Sequence, residues 1–220
     1  VPHNTLPHWY IYGAGGLGVE TMDILQHAIR EGHVPQHTSS FVEDATEGGE
    51  VLGYRVHDLS DCLPGSKVTI AVGEPRVRQL LMGKARGAGL QLSSVISPTA
   101  FVSPMAYIGD GVIVGPLCSI QARANVAMNV AINTMAIVGH DVHVQQGAVL
   151  SSMVNLGGAA VIGECAYIGM AALVKEGCSI GSWSIIGMGS VVYNDVPEDV
   201  IAVGSPARVS RRNENKQVFK

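Results

Sequence analysis

Ile108-Gly-Asp-Gly-Val-Ile-Val114-Gly-Pro-Leu-Cys-Ser-Ile120 decides the fold. An aliphatic residue returns every six positions, and the count runs on without insertion from Ile96 to Val192, seventeen times in all. Four residues after each stands a second restricted position, from Ala100, Ala106 and Val112 on to Val196, that holds nothing larger than Val. Gly follows the aliphatic residue in eight hexads, among them Gly109, Gly115, Gly139 and Gly187. Fixed self-similarity of this kind outranks local propensity as a guide to architecture.

A period of six excludes a helix, because at 3.6 residues per turn the aliphatic row would wander over every face. On a strand six is even, so the row stays on one side. A single strand of that length would run for roughly 340 Å, so the chain has to turn after each hexad. Three short sides per coil stack equivalent positions at about 4.8 Å, the spacing of hydrogen-bonded strands. The large aliphatics then fill a triangular prism, the small row fits beside them, and the glycines are expected to relax corners that need positive φ. The result is a parallel β-helix, quasi-one-dimensional like other solenoids. Such a coil is expected to remain soluble without residues 1–94.

Composition bounds the rest. Aromatics are 5% of 220 residues, as a narrow prism with no room for rings requires. A net charge of -4 gives no basic footprint for nucleic acid. No apolar run reaches the ~20 residues of a membrane span, and Val1 to His8 lack the layout of a signal peptide. Cys62, Cys118, Cys165 and Cys178 have no metal-type spacing. They are expected to be reduced core thiols of a cytoplasmic protein.

Ahead of the repeat, Val1 to His8 read as a loose lead-in, with His3 and His8 too weak a pair to imply a metal. Trp9-Tyr-Ile-Tyr12 reads as a strand running into Gly13-Ala-Gly-Gly-Leu-Gly18, followed by a helical pattern ending near Gly32. Ser40-Phe-Val-Glu43, a small extension over residues 51–56, a strand at Val68 to Val72 stopped by Gly73, and a helix over residues 76–86 complete an abbreviated Rossmann-like βαβ unit. Residues 1–94 are therefore expected to form this α/β domain, 95–200 the β-helix and 201–220 a tail. In Gly13-x-Gly15-x-x-Gly18 the backbone amides of Gly15, Gly16 and Leu17 open a helix and can face a phosphate. The unit is too short for two mononucleotide halves, so a single nucleotide with a pyrophosphate fits better than a dinucleotide. Glu43 and Asp44 then either accept hydrogen bonds from ribose or base, or belong to a solvated loop.

A short glycine-loop domain fused to a hexapeptide prism resembles the sialic-acid O-acetyltransferase-like group. Within that group lie the N-acetyltransferases of nucleotide-linked 4-amino-sugars, of the bacillosamine and perosamine type, which the chain also resembles. The landmarks are Tyr10-Ile-Tyr-Gly-Ala-Gly-Gly-Leu-Gly18, Phe41-Val-Glu-Asp44, Ala71-Val-Gly73, Ile96-Ser-Pro98, Val138-Gly-His-Asp141 and Val203-Gly-Ser-Pro-Ala207, in order between about Trp9 and Arg208. The resemblance implies a left-handed coil, a cytoplasmic homotrimer with sites between subunits, acetyl-CoA as co-substrate, no metal, and a role in glycan or surface-polysaccharide biosynthesis. It also implies a nucleotide amino-sugar held by Gly15, Gly16, Leu17, Glu43, Asp44 and Gly73.

The prism contains two histidines. His143 lies between inward Val142 and Val144, hence on an outer flat face. His140 falls two residues after inward Val138, at a corner, with the small residues Ala122 and Gly158 one coil below and above. An imidazole there can take the proton that a sugar amine loses on attacking a thioester. By resemblance Asp141 supports that base; alternatively it forms a ladder ion pair with Arg123, one coil away. Two departures stand out: Val149 replaces a second histidine of many relatives, and Leu17 a loop histidine. The resemblance further places CoA along a groove near Met170, Gly187 and Met188, with the basic tail near its phosphates. The enzymatic alternative is O-acetylation of a sugar of the sialic-acid type. A zinc site would need three histidines, and an ice-binding coil would need threonine ladders that this sequence lacks.

Overall fold

The computed structural model describes residues 7–44 and 48–219, so His3 and Ala45 to Glu47 lie outside the described residues. The front of the chain forms β1 (His8–Tyr12), α1 (Gly16–Arg30), β2 (Thr38–Glu43), β3 (Gly49–Val51), β4 (Tyr54–Asp58), β5 (Lys67–Ile70), α2 (Pro75–Gly87) and β6 (Gln91–Leu92). They make one sheet in the order β3-β4-β2-β1-β5-β6, parallel except for β3, which folds back on β4 as a hairpin. His8 belongs to β1 and not to a lead-in: its ring bonds Ser40 Oγ at 2.7 Å and Thr38 Oγ1 at 2.6 Å.

Strand alternation sorts the core into two layers. Trp9 and Ile11 face α1 residues Met22, Leu25 and Ile29, whereas Tyr10 and Tyr12 face α2 residues Leu81, Met82 and Ala85. The α1 connection leads from β1 to one neighbour, and β5 on the other side leads on through α2. The two helices therefore lie on opposite faces of the sheet.

From Val95 the chain winds into a left-handed parallel β-helix. Residues eighteen apart pair in parallel, as in Val114 with Ile132 and Ile132 with Leu150. The first face carries Val95, Ile113, Ala131, Val149, Tyr167 and Ile185 outward; the second carries Phe101, Ser119, Ile137, Asn155, Leu173 and Val191; the third carries Tyr107, Asn125, His143, Val161 and Ser179. The sixfold aliphatic row and the small row are buried together as one continuous core from Val112 to Ala202. Each fully enclosed Val, Leu or Ile contributes about 1.5–3 kcal/mol relative to exposure.

The glycines work differently from the sequence expectation. Positive φ does not fall on those that follow the aliphatic residue. It falls two positions later, on Gly111, Leu117, Arg123, Asn129, Met135, Asp141, Gly147 and their successors. The earlier glycines are required by close approach instead. A β-carbon on Gly115 would stand 2.7 Å from Thr134 N, and one on Gly163 2.5 Å from Ser182 N, both on the next coil.

Two features that the sequence pattern does not carry tie the parts of the chain together. The front domain covers the first face, where Val95, Ile113, Ala131 and Val149 are buried in the same cluster as Trp9, Met22 and Leu25. The fully buried guanidinium of Arg78 (α2) pins that junction, donating to Asn129 O at 2.8 Å and to Ile70 O at 2.7 Å. The outer first face of the coil thus forms a common core with the front domain, while the prism interior keeps a core of its own. The C-terminal tail is also tied down. Val200–Gly204 adds a strand beside Ile185–Ile186, and Ala207–Arg212 pairs back on it antiparallel. Residues 213–219 then cross to α2, where the Val218 and Phe219 amides donate to Glu74 Oε2 at 2.9 and 3.0 Å.

Candidate active site

His140 and Asp141 are the two central residues of the turn at the edge between the second and third faces. Asp141 adopts φ 61°. The imidazole is 62% exposed, and its Nδ1 lies 2.7 Å from Asp141 Oδ2. Asp141 also receives Arg123 Nε at 2.6 Å and Nη2 at 2.7 Å, a two-pronged bond from the coil below. Asp141 therefore contacts both of the partners that the sequence offers it, His140 and Arg123. Arg123 first, and His140 second, hold its carboxyl well below the usual carboxylate range. An ionised Asp141 against Nδ1 keeps the proton on that nitrogen and the lone pair on Nε2. Nε2 lies over Gly158 on the next coil, where a β-carbon would come within 2.5 Å of it. A single exposed imidazole, oriented by a carboxylate and given room by a glycine, can accept a proton from a bound amine.

The glycine loop divides into structural and open positions. Gly13 has φ 111° and sits against Ala71 O, and a β-carbon on Gly18 would overlap Gly13 O at 1.9 Å. Gly15 and Gly16, at the start of α1, have nothing within 4 Å of where a side chain would project. Backbone amides at an open helix start suit a phosphate. Glu43 Oε1 accepts from Ala14 N at 2.6 Å and so braces the loop. Asp44 is held by the Tyr12 hydroxyl and by Lys84 Nζ at 2.5 Å. Burial pushes the Asp44 carboxyl up, but those bonds outweigh it and leave it lowered. Next to Leu17 a cleft of about 500 Å³ opens between α1 and the edge joining the first and second faces. Its walls include Glu20, His27, Arg30, Ser97 and Asn133, and the Asn133 side-chain oxygen is buried with no hydrogen-bond partner.

No protein-family model matches the chain. Among solved structures it is similar to a histidine-to-asparagine variant of perosamine N-acetyltransferase from Caulobacter crescentus, in complex with CoA and GDP-perosamine. That likeness has 32% identity, a TM-score of 0.84, and covers 92% of this chain and 96% of that one. The chain belongs to the nucleotide-linked amino-sugar N-acetyltransferase family of hexapeptide-repeat proteins. The acetyltransferase domain of PglB from Neisseria gonorrhoeae, solved with acetyl coenzyme A, is 30% identical with a TM-score of 0.84, covering 93% of this chain and 100% of that domain. A curated GDP-perosamine N-acetyltransferase from Escherichia coli is 28% identical over 120 residues. That match spans only 53% of this chain and 54% of the relative.

In this N-acetyltransferase family member the sequence-predicted residues fall into two groups. His140 and Asp141 stand at the edge opposite the first face. Gly15, Gly16, Leu17 and Gly73 belong to the front domain that covers that face. Met170, Gly187 and Met188 lie on the edge between first and second faces, where Met170 is 52% and Met188 80% exposed. Val149, at the position of the missing histidine, is buried beneath the front domain rather than near His140 of its own chain. His143 is exposed on the third face. Of the basic tail, Lys216 is engaged with Asp199 and the Trp183 ring, while Arg211 and Arg212 remain exposed. Sequence reasoning missed Asn133, which directly follows the inward Ile132 at the start of a corner. Only its polar side chain beside Leu17 in three dimensions marks it. Among the described residues no group of three His, Cys, Asp or Glu is placed to hold a metal, and no helix is long and apolar enough to cross a membrane.

Proposed function

We propose that the protein transfers the acetyl group of acetyl-CoA to the 4-amino group of a nucleotide-linked amino-sugar, with His140 as general base. The observation that carries this reading is the His140–Asp141 pair, open to solvent beneath Gly158. The amine nitrogen attacks the thioester carbonyl carbon, and the N–C bond forms as the C–S bond breaks. His140 Nε2 takes the proton released by the nitrogen and returns it to the departing CoA sulfur. Asp141 stabilises the imidazolium formed between those events. Likeness to proteins solved with CoA and GDP-perosamine supports the choice of both substrates.

We also infer a cytoplasmic homotrimer that shares its sites and acts on a glycan precursor. The glycine loop and its cleft lie at one edge of the prism and His140 at another, so a cyclic arrangement would bring the edge of one copy to the cleft of the next. The exposed side chains along the edge near the cleft support this: Leu117, Met135 and Met153 are 62%, 49% and 53% exposed. Each occupies a positive-φ position that disfavours any side chain by about 1–2 kcal/mol. Large apolar groups kept there at that cost favour a partner surface. The test is incubation with acetyl-CoA and a panel of UDP-, GDP- and dTDP-4-amino-sugars, following free thiol. Release with one of them is expected; release with sugar hydroxyl acceptors alone would contradict N-acetylation.

A further inference from the structure

Between β1 and β5 the connections leave the sheet in opposite directions, and parallel sheets bind ligands outside the strand ends at such a point. Gly13 to Gly16 form one lip of that crevice and Ala71 to Gly73 the other. The lips meet at their base, where Gly13 lies against Ala71 O. Above the second lip stands Phe219. Its ring carbons lie 3.7 and 4.0 Å from the point that a side chain on Gly73 would occupy. The ring also meets Tyr167 of the first face edge-on, with centroids 5.6 Å apart. The Tyr167 hydroxyl in turn accepts from Ser151 Oγ at 2.8 Å, one coil above Asn133.

Phe219 is half exposed, yet the segment that carries it is tied down along its length. Asn213 Nδ2 donates to Trp183 O at 2.7 Å, Lys216 lies over the Trp183 ring, and Glu74 Oε2 receives the Val218 and Phe219 amides. The segment thus holds a half-exposed aromatic ring against Gly73 and Tyr167, beside the crevice.

We propose that Phe219 is a substrate-contacting residue that forms the wall against the sugar of the nucleotide-linked amino-sugar. The inference rests on the reading of function above and adds a contact from beyond the family landmarks, which end at Arg208. The direction of the ligand follows from the two lips. With the pyrophosphate on the Gly15 and Gly16 amides, one half of the ligand runs toward β2 and the other toward β5. Glu43 and Asp44 bound the β2 side, where a nucleoside offers hydroxyl and base donors. The β5 side leads past Gly73 to Phe219 and Tyr167 of the β-helix, which leaves that side for the sugar. The apolar C–H face of a pyranose against an aromatic ring buries carbon surface while its polar groups stay at the rim.

The test uses the full chain with Phe219→Ala and Phe219→Tyr. The probe is GDP-perosamine, or whichever nucleotide 4-amino-sugar of the panel the wild type turns over, beside the bare nucleoside diphosphate. Phe219→Ala is expected to raise KM for the nucleotide sugar about tenfold, a loss typical of one stacked ring. Affinity for the nucleoside diphosphate and KM for acetyl-CoA stay within about twofold, and Phe219→Tyr restores the wild-type KM. An unchanged KM, an equal loss of diphosphate affinity, or faster turnover on loosening the segment would each overturn the proposal. A wild type that neither binds nor turns over any nucleotide amino-sugar removes the underlying function, and this contact with it, before a variant is made.

Discussion

The imidazole of His140 packs against Gly158 so closely that a β-carbon at residue 158 would fall 2.5 Å from both Cε1 and Nε2. Gly158 has no positive φ, so Gly158→Ala costs the backbone little. The added methyl group must instead displace the ring. Turnover is expected to fall by about 10- to 100-fold, the scale of a misplaced catalytic group, with thermal stability nearly unchanged. Parallel measurement of kcat and Tm checks this; full activity in Gly158→Ala would show that the ring position is not critical.

Asp141→Asn removes the anion that fixes the Nδ1 proton, and we expect kcat to drop at least about tenfold with little change in either KM. Arg123→Ala leaves the His140–Asp141 bond in place and should cost less than about threefold. The Asp141 carboxyl is held low by Arg123 first and His140 second. The interaction is therefore complete above the ordinary carboxylate range and lost only as pH falls through the lowered folded value. Between about pH 5 and 9 Asp141 does not titrate, and it contributes no limb to the pH–rate profile. A limb near pH 4 to 5 that vanishes in Asp141→Asn would contradict this sign.

Burial first, and Glu164 second, push the Cys165 thiol up to about 12; burial and then Asp61 push Cys62 up to about 11. Cys118 and Cys178 are raised in the same direction, chiefly by burial. At pH 8 the thiolate fraction of Cys62 is then on the order of 0.1%. A disulfide reagent is expected to find no fast-reacting thiol in the native protein and four after denaturation. One rapidly titrating thiol at pH 8 would argue for an open, activated cysteine.

Deletion of residues 1–94 uncovers Ile113, Ala131, Val149 and Tyr167 on the first face. It also strips Asn129 of the Arg78 guanidinium. Burial pulls that guanidinium down to about 9, which still leaves it charged at neutral pH. The truncated coil is expected to aggregate, checked by size exclusion of the soluble fraction. A monodisperse soluble product would mean that the shared core contributes little.

Much of this molecule was legible in the one-dimensional pattern because a hexad phase cannot be mistaken for anything else. Val138 points inward, so His140 has to occupy a corner. The glycine loop between a strand and a helix was equally plain. Phase within a coil does not tell which outer face another domain covers, and so it could not show that Val149 lies beneath the front domain while His140 lies opposite. The role of Gly115 was misread for a related reason. The requirement comes from Thr134 on the next coil, and no local rule about glycine and positive φ contains it. Phe219 and Gly73 lie too far apart in sequence for any pattern to join them; only the folded path of residues 213–219 does.

Thiol release from acetyl-CoA in the presence of a nucleotide-linked 4-amino-sugar, compared between wild type and His140→Ala, tests the central claim most directly. Loss of the general base is expected to slow turnover by at least about 100-fold while the nucleotide sugar still binds. Near-normal turnover in His140→Ala would show that the proton leaves by another route.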